Sequence, residues 1–165
     1  MVEIASLFPG QGSQFTGMGK DLYQTYPVAR KIFDRAAELV DFDIRATCFE
    51  GPPEKLTQTR VSQPAIFVTS MAALEVFKNH PKSREFTARY AAGLSLGEAT
   101  ALCAAGAISF DDGVRFVSAR GKYMDEAAAE QPGLMAAVLG LELSVVEEVC
   151  QKTGAEVWVP RWGEG

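Results

Sequence analysis

The chain opens on a mostly apolar run, Val2 to Phe8, which predicts a short buried strand ended by Pro9-Gly10-Gln11-Gly12-Ser13. Between Tyr26 and Asp41, Pro27 suits a first helical turn, and Val28, Ile32, Phe33, Ala36, Leu39 and Val40 then recur at helical spacing. Gly51-Pro52-Pro53 closes that region. A helix opened by Pro64 and running through Phe77 has apolar residues almost all round it, which predicts burial on most sides. It ends in the polar loop Asn79-His80-Pro81-Lys82. A strand from Arg89 to Leu94 runs directly into a helix from Leu96 to about Ala105. Ser109-Phe110-Asp111-Asp112 has the form of a helix start, with a side-chain cap and acids in the first turn, and that helix runs to about Ala129. After the break at Gln131-Pro132-Gly133, the pattern gives a strand (Met135–Leu139), a helix (Leu143–Lys152) and a strand (Glu156–Val159), a separate β-α-β unit.

Alternation of strands and helices over 165 residues, 47% of them hydrophobic and 22% charged, indicates a globular α/β protein rather than a disordered chain. A net charge of −5 without a long Lys/Arg cluster argues against nucleic acid as a partner, although a local basic pocket remains able to take a small anion. Cys48, Cys103 and Cys150 lie far apart with no Cys-x-x-Cys pairing, so neither a disulfide framework nor a metal site is expected. There is no signal-peptide pattern and no membrane-length apolar run, so the expectation is a cytoplasmic protein with no membrane association.

The candidate chemistry centres on Gly93-Leu94-Ser95-Leu96-Gly97, at the strand-to-helix junction. A serine on so sharp an elbow needs flanking glycines, and it places its hydroxyl at a helix N-terminus, where backbone N–H groups stabilise an oxyanion. Ser95-x-x-Glu98 is equally a capping box, so a purely structural serine stays open at this point. The loop from Pro9 to Gln14 has glycine at alternate positions, suited to a second N–H donor, and it lacks the Gly-Lys-Ser/Thr of a phosphate loop. Arg120 has Phe116, Val117, Tyr123 and Met124 as its helical neighbours, which puts a guanidinium on an apolar face. Either an internal carboxylate pairs with it, or it clamps the carboxylate of a substrate.

Phe8-Pro9-Gly10-Gln11-Gly12-Ser13-Gln14, Gln63-Pro64-Ala65-Ile66, Gly93-Leu94-Ser95-Leu96-Gly97-Glu98 and Arg120-Gly121-Lys122-Tyr123-Met124 stand in that order. Together they resemble the malonyl-CoA:acyl-carrier-protein transacylases and the acyltransferase domains of polyketide synthases, over residues 4 to about 159. The resemblance implies an α/β-hydrolase-like large subdomain with an inserted ferredoxin-like small one. Residues 1–132 would form the N-terminal part of the first, and 133–165 the first half of the second. It also implies ping-pong transfer of malonyl from coenzyme A to acyl carrier protein, in fatty acid or polyketide biosynthesis, with Ser95 as nucleophile. In that scheme the N–H groups of Gln11 and Leu96 form the oxyanion hole and Arg120 holds the malonyl carboxylate. Gln63 lies near the site, and no bound cofactor is needed, since the coenzyme A thioester is the substrate.

Two features depart from the family pattern. Leu94 stands where the family usually has histidine, at a position bordering the substrate pocket, which bears on acyl-group selectivity. The family's general base is a histidine well downstream, whereas the one histidine here, His80, matches no family motif and reads as a surface residue. The closing residues Pro160 to Gly165 also leave the family pattern. The expectation is therefore an N-terminal part, impaired as a catalyst, marginally stable, or reliant on a complementing chain or other modules of a synthase. A non-catalytic module binding carrier protein or acyl-CoA, and a serine esterase, are the competing readings.

Overall fold

The computed structural model describes residues 1–133, 138 and 140–153. They divide into two units, Met1–Gln131 and the residues from Pro132 on. The first is a mixed α/β unit in which helices enclose a core beside two parallel strands. Its elements are β1 (Val2–Phe8), α1 (Lys20–Thr25), α2 (Pro27–Ala37), α3 (Ile44–Glu50), α4 (Pro53–Leu56), α5 (Thr59–Asn79), a 3₁₀ turn (Pro81–Glu85), β2 (Phe86–Gly93), α6 (Leu96–Ala104) and α7 (Phe110–Glu130). Of the second unit, the described part contains α8 (Leu143–Thr153), one residue longer than its spacing predicts. The strands predicted at 135–139 and 156–159 fall largely or wholly outside the described residues.

The core forms around α5, whose residues Val61 to Val68 are all buried, as its all-round apolar pattern predicts. Helices α7 and α2 pack along it, and α6 packs on both α5 and the two strands. Glycine sets how close α7 comes: a Cβ on Gly113 would lie 2.4 Å from the Phe67 ring, and one on Gly121 would lie 2.8 Å from the Thr59 carbonyl oxygen. Phe33, on α2 and fully buried, packs edge-on against Tyr23 and tilted against Phe49, fastening α1 and α3 to the same core. Cys48 is also fully buried, and desolvation pushes its thiol up to about 12.

Helix termini follow side-chain chemistry. The Ser109 hydroxyl accepts from the Asp112 amide at 3.1 Å, which confirms the predicted start of α7. Pro27 occupies the first turn of α2 as expected.

Three sequence expectations are corrected here. Pro64 does not open its helix; α5 begins five residues earlier, at Thr59. The early turn is held from outside, because the Asp125 carboxylate on α7 accepts from the Arg60 amide at 2.9 Å. A local pattern cannot carry that tertiary contact. Strand β2 begins at Phe86, three residues before the predicted start, because ladder pairing with β1 recruits Phe86 opposite Val2. Finally, β1 is not buried: Val2 is 58% exposed and Leu7 is 77% exposed. Among the described residues, β1 pairs with β2 alone.

Candidate active site

Strands β1 and β2 run parallel, with Phe8 opposite Gly93, so both end at the same edge. Ligand sites of open α/β sheets lie beyond this carboxyl edge. The chain leaves β2 at Gly93 and enters α6 at Leu96, which leaves Leu94 and Ser95 to make the whole turn. Ser95 takes φ 54° and ψ −106°, and it is the one residue other than glycine with positive φ among the described residues. A Cβ on Gly93 would stand 2.1 Å from the carbonyl carbon of Gly97, and one on Gly97 would stand 2.3 Å from the Phe8 carbonyl oxygen. Both glycines of the motif are therefore required by backbone packing, and the elbow is wedged against the end of β1.

Ser95 is exposed, and its side chain makes no capping hydrogen bond to α6. That removes the capping-box reading of Ser95 and Glu98. The hydroxyl oxygen instead accepts from Arg120 Nη2 at 2.9 Å. Arg120 projects from α7 next to Gly121, whose contact with Thr59 holds α7 against the start of α5. Its Nη1 donates to Gln63 Oε1 at 2.7 Å, and Gln63 Nε2 donates to Met124 Sδ at 3.1 Å. One hydrogen-bonded run thus joins Ser95 in the elbow, Arg120 and Met124 on α7, and Gln63 on α5.

The apolar-face placement of Arg120 is revised, and of its two readings the internal carboxylate partner is not found among the described residues. Arg120 is half-buried, because only the Val117 side of α7 turns toward α5, while Phe116 and Tyr123 are 55% and 66% exposed. Its partners are neutral acceptors, and it forms no ion pair among the described residues. Nearby Asp125 is engaged by the Arg60 amide. Around Arg120, the stripe of Phe116, Ala119, Tyr123, Met124 and Ala127 lines an open depression of about 440 Å³. A full cationic charge therefore stands in an otherwise apolar surface, beside an accessible hydroxyl.

The Pro9 to Ser13 loop lies against the elbow, since a Cβ on Gly10 would come 2.8 Å from the Leu94 carbonyl oxygen. The loop braces itself through Ser13 Oγ donating to the Gly10 carbonyl and the Gly12 amide donating to Gln14 Oε1, each at 2.8 Å. Gln11 Nε2 donates to Thr59 Oγ1 at 3.4 Å. The backbone amides of Gln11 and Leu96 have no acceptor among the described residues; Leu96, as the first residue of α6, has none within its helix either. Leu94 is 63% exposed beside Ser95, whereas the Leu96 side chain is buried in the core.

His80 is not brought to this site. It caps the 3₁₀ turn, where its Nδ1 accepts from the Lys82 amide at 3.3 Å. It precedes the start of β2, and Ser95 follows its end, so eight strand residues, about 26 Å of extended chain, lie between. One participant is missed in the sequence, where Met124 stands only as an apolar neighbour of Arg120. The signal for Met124 was Gln63 itself, a polar side chain within a run buried on every side, which has to find partners for both ends of its amide.

The family model for the acyl transferase domain matches residues 6–159. A curated relative from Bacillus subtilis (strain 168), the malonyl CoA-acyl carrier protein transacylase, is 47% identical over 156 residues, covering 94% of this chain and 48% of the relative. The crystal structure of the malonyl CoA-acyl carrier protein transacylase from Clostridium perfringens superposes with a TM-score of 0.79 at 38% identity, covering 93% of this chain and 47% of that one. A malonyl-transacylase solved in complex with a type II PKS acyl-carrier protein gives a TM-score of 0.76 at 33% identity, over 92% of this chain and 48% of that one. The chain therefore spans about half the length of the relatives it matches.

Proposed function

The chain belongs to the acyl transferase domain family, and from that premise we propose that it carries the nucleophile and the acid-recognition half of a malonyl-CoA:acyl-carrier-protein transacylase site. The observation that carries this reading is the bond between Arg120 Nη2 and Ser95 Oγ, at a strained, exposed elbow. A serine esterase has no need of a cation beside its nucleophile. An acyl group that itself bears a carboxylate does, and guanidinium is the side chain suited to hold it in two parallel hydrogen bonds.

In the proposed reaction, Ser95 Oγ attacks the thioester carbonyl of malonyl-CoA. Its proton passes to a general base, the C–S bond breaks, and coenzyme A leaves as the thiol after taking up a proton. A malonyl ester remains on Ser95 until the phosphopantetheine thiol of acyl carrier protein attacks it and regenerates the hydroxyl. The Gln11 and Leu96 amides are the oxyanion donors in this reading, supported by their lack of internal acceptors. Arg120 holds the malonyl carboxylate, Gln63 supports Arg120, and Leu94 borders the acyl group. No bound cofactor enters the scheme. The general base is the histidine that the family resemblance expects outside the residues matched to its motifs here. We read 1–132 as the N-terminal part of an α/β-hydrolase-like subdomain and 133–165 as the start of a ferredoxin-like one, in a cytoplasmic protein. No helix among the described residues is long and apolar enough to cross a membrane.

The test is intact-mass measurement of the chain after incubation with malonyl-CoA. The expected product is a single malonyl adduct on Ser95, absent from Ser95→Ala. It should form slowly, since loss of a triad-type base costs on the order of 10⁴ to 10⁶ in turnover. An adduct that persists in Ser95→Ala would overturn the assignment of the nucleophile.

A further inference from the structure

We propose that Met124 is a positioning residue for the anion-binding arginine: its thioether holds the buried Gln63 amide, and Gln63 in turn holds the Arg120 guanidinium beside Ser95. The inference rests on the reading of Arg120 as the carboxylate clamp, and it assigns that clamp a support on its own helix. Gln63 is fully buried on α5, and its two amide ends meet one-way partners. On one side Arg120 Nη1 can only donate, so it requires Oε1, which it meets at 2.7 Å. On the other side the Met124 sulfur can only accept, so it requires the Nε2 amide, which it meets at 3.1 Å. Met124 Sδ is the sole acceptor of Nε2 among the described residues. Without that sulfur, Nε2 becomes a donor with no partner on a fully buried side chain, and such a group is costly enough to drive a side chain into another rotamer. Any rotamer of Gln63 that satisfies Nε2 elsewhere withdraws Oε1 from Arg120.

Spacing on α7 makes the arrangement local. Arg120 and Met124 are four residues apart and so lie on one face of the helix, with Gln63 reaching between them from α5. A leucine at 124 would fill the same space and accept nothing. The loss is thus specific to the sulfur acceptor rather than to packing.

The experiment is a double-mutant cycle with Met124→Leu, Gln63→Leu and the double variant, each checked for folding by circular dichroism. Two readouts are taken on the full chain: the Arg120 guanidinium NMR signals without ligand, and the affinity for malonyl-CoA relative to acetyl-CoA. Met124→Leu is expected to shift the Arg120 signals and to weaken malonyl-CoA binding about tenfold, the loss of one hydrogen bond to a charged group, with acetyl-CoA binding unchanged. In the Gln63→Leu background it should add nothing, because no amide is left to hold. Unchanged Arg120 signals in Met124→Leu, or full additivity in the double variant, would overturn the proposal. If the parent chain shows no preference for malonyl-CoA over acetyl-CoA, the clamp reading fails instead, and the ligand-free signals still decide the role of Met124.

Discussion

Arg120 Nη2 donates to Ser95 Oγ at 2.9 Å although the two residues lie 25 positions apart, one on α7 and the other in the turn before α6. Two glycine contacts make the meeting possible: Gly97 against the end of β1, and Gly121 against the start of α5. The distinctive pair at the site is therefore a consequence of backbone close approach, fixed before any side chain is considered.

Arg120→Ala should lower malonyl transfer or malonyl adduct formation by about tenfold or more while leaving acetyl transfer near the parent level, since only the acid-bearing acyl group uses the guanidinium. Side-by-side adduct rates with malonyl-CoA and acetyl-CoA check this. Equal losses for the two would mean that Arg120 is structural.

Gly97→Ala is expected to destabilise the fold by about 3 kcal/mol, at the upper end for overpacking, because its new methyl would meet the Phe8 backbone, which has nowhere to go. Denaturant melts compared with Gly12→Ala separate sterics from conformation. A Cβ on Gly12 meets nothing within 4 Å, although φ there is 104°. Similar losses at the two positions would contradict the steric account.

Cys48 supplies a prediction about pH. Burial raises its thiol from an ordinary 9.0 to about 12, so the folded chain keeps a proton that the unfolded chain gives up first. Its contribution to stability is fully present below about 9 and is lost as pH rises from there to about 12. Alkylation of Cys48 in mildly alkaline buffer, followed by peptide mapping, should be slow until denaturant is added; rapid alkylation at Cys48 itself in the native chain would refute the burial.

At the surface, Arg35 pairs with Asp111, joining α2 to the first turn of α7 through a 3.0 Å bond from Nε and a second contact from Nη2. The hydrogen bond from Arg35, and then its charge, hold the Asp111 carboxyl below the usual range. A depressed folded pKa gives stability above the ordinary carboxylate range that is lost as pH falls through the folded value. The pair is exposed, so the effect is small and weakened by salt. Carbon-detected NMR titration should find the Asp111 midpoint moving up in Arg35→Ala.

Much of this was legible in the sequence where the determinant is local. Ser109 announced the start of α7 because its cap is built from its own next residues. The apolar wrap of α5 announced burial because the pattern directly records what surrounds the helix. Gly93-x-Ser95-x-Gly97 announced the elbow because backbone crowding there leaves glycine as the residue that fits. What stayed hidden was set across the fold. Asp125 carries α5 back beyond Pro64 through a bond 65 residues away in sequence. Arg120 takes amide and hydroxyl partners rather than the carboxylate that burial alone suggests. The exposure of β1 depends on what lies beside it in space, which an apolar run does not record.

The φ of 54° at Ser95 has a further consequence. At such a position glycine is the thermodynamically preferred residue, and Ser95→Gly should raise stability by about 1 kcal/mol while removing the hydroxyl. A one-residue route to a sturdier but inert chain is therefore always open.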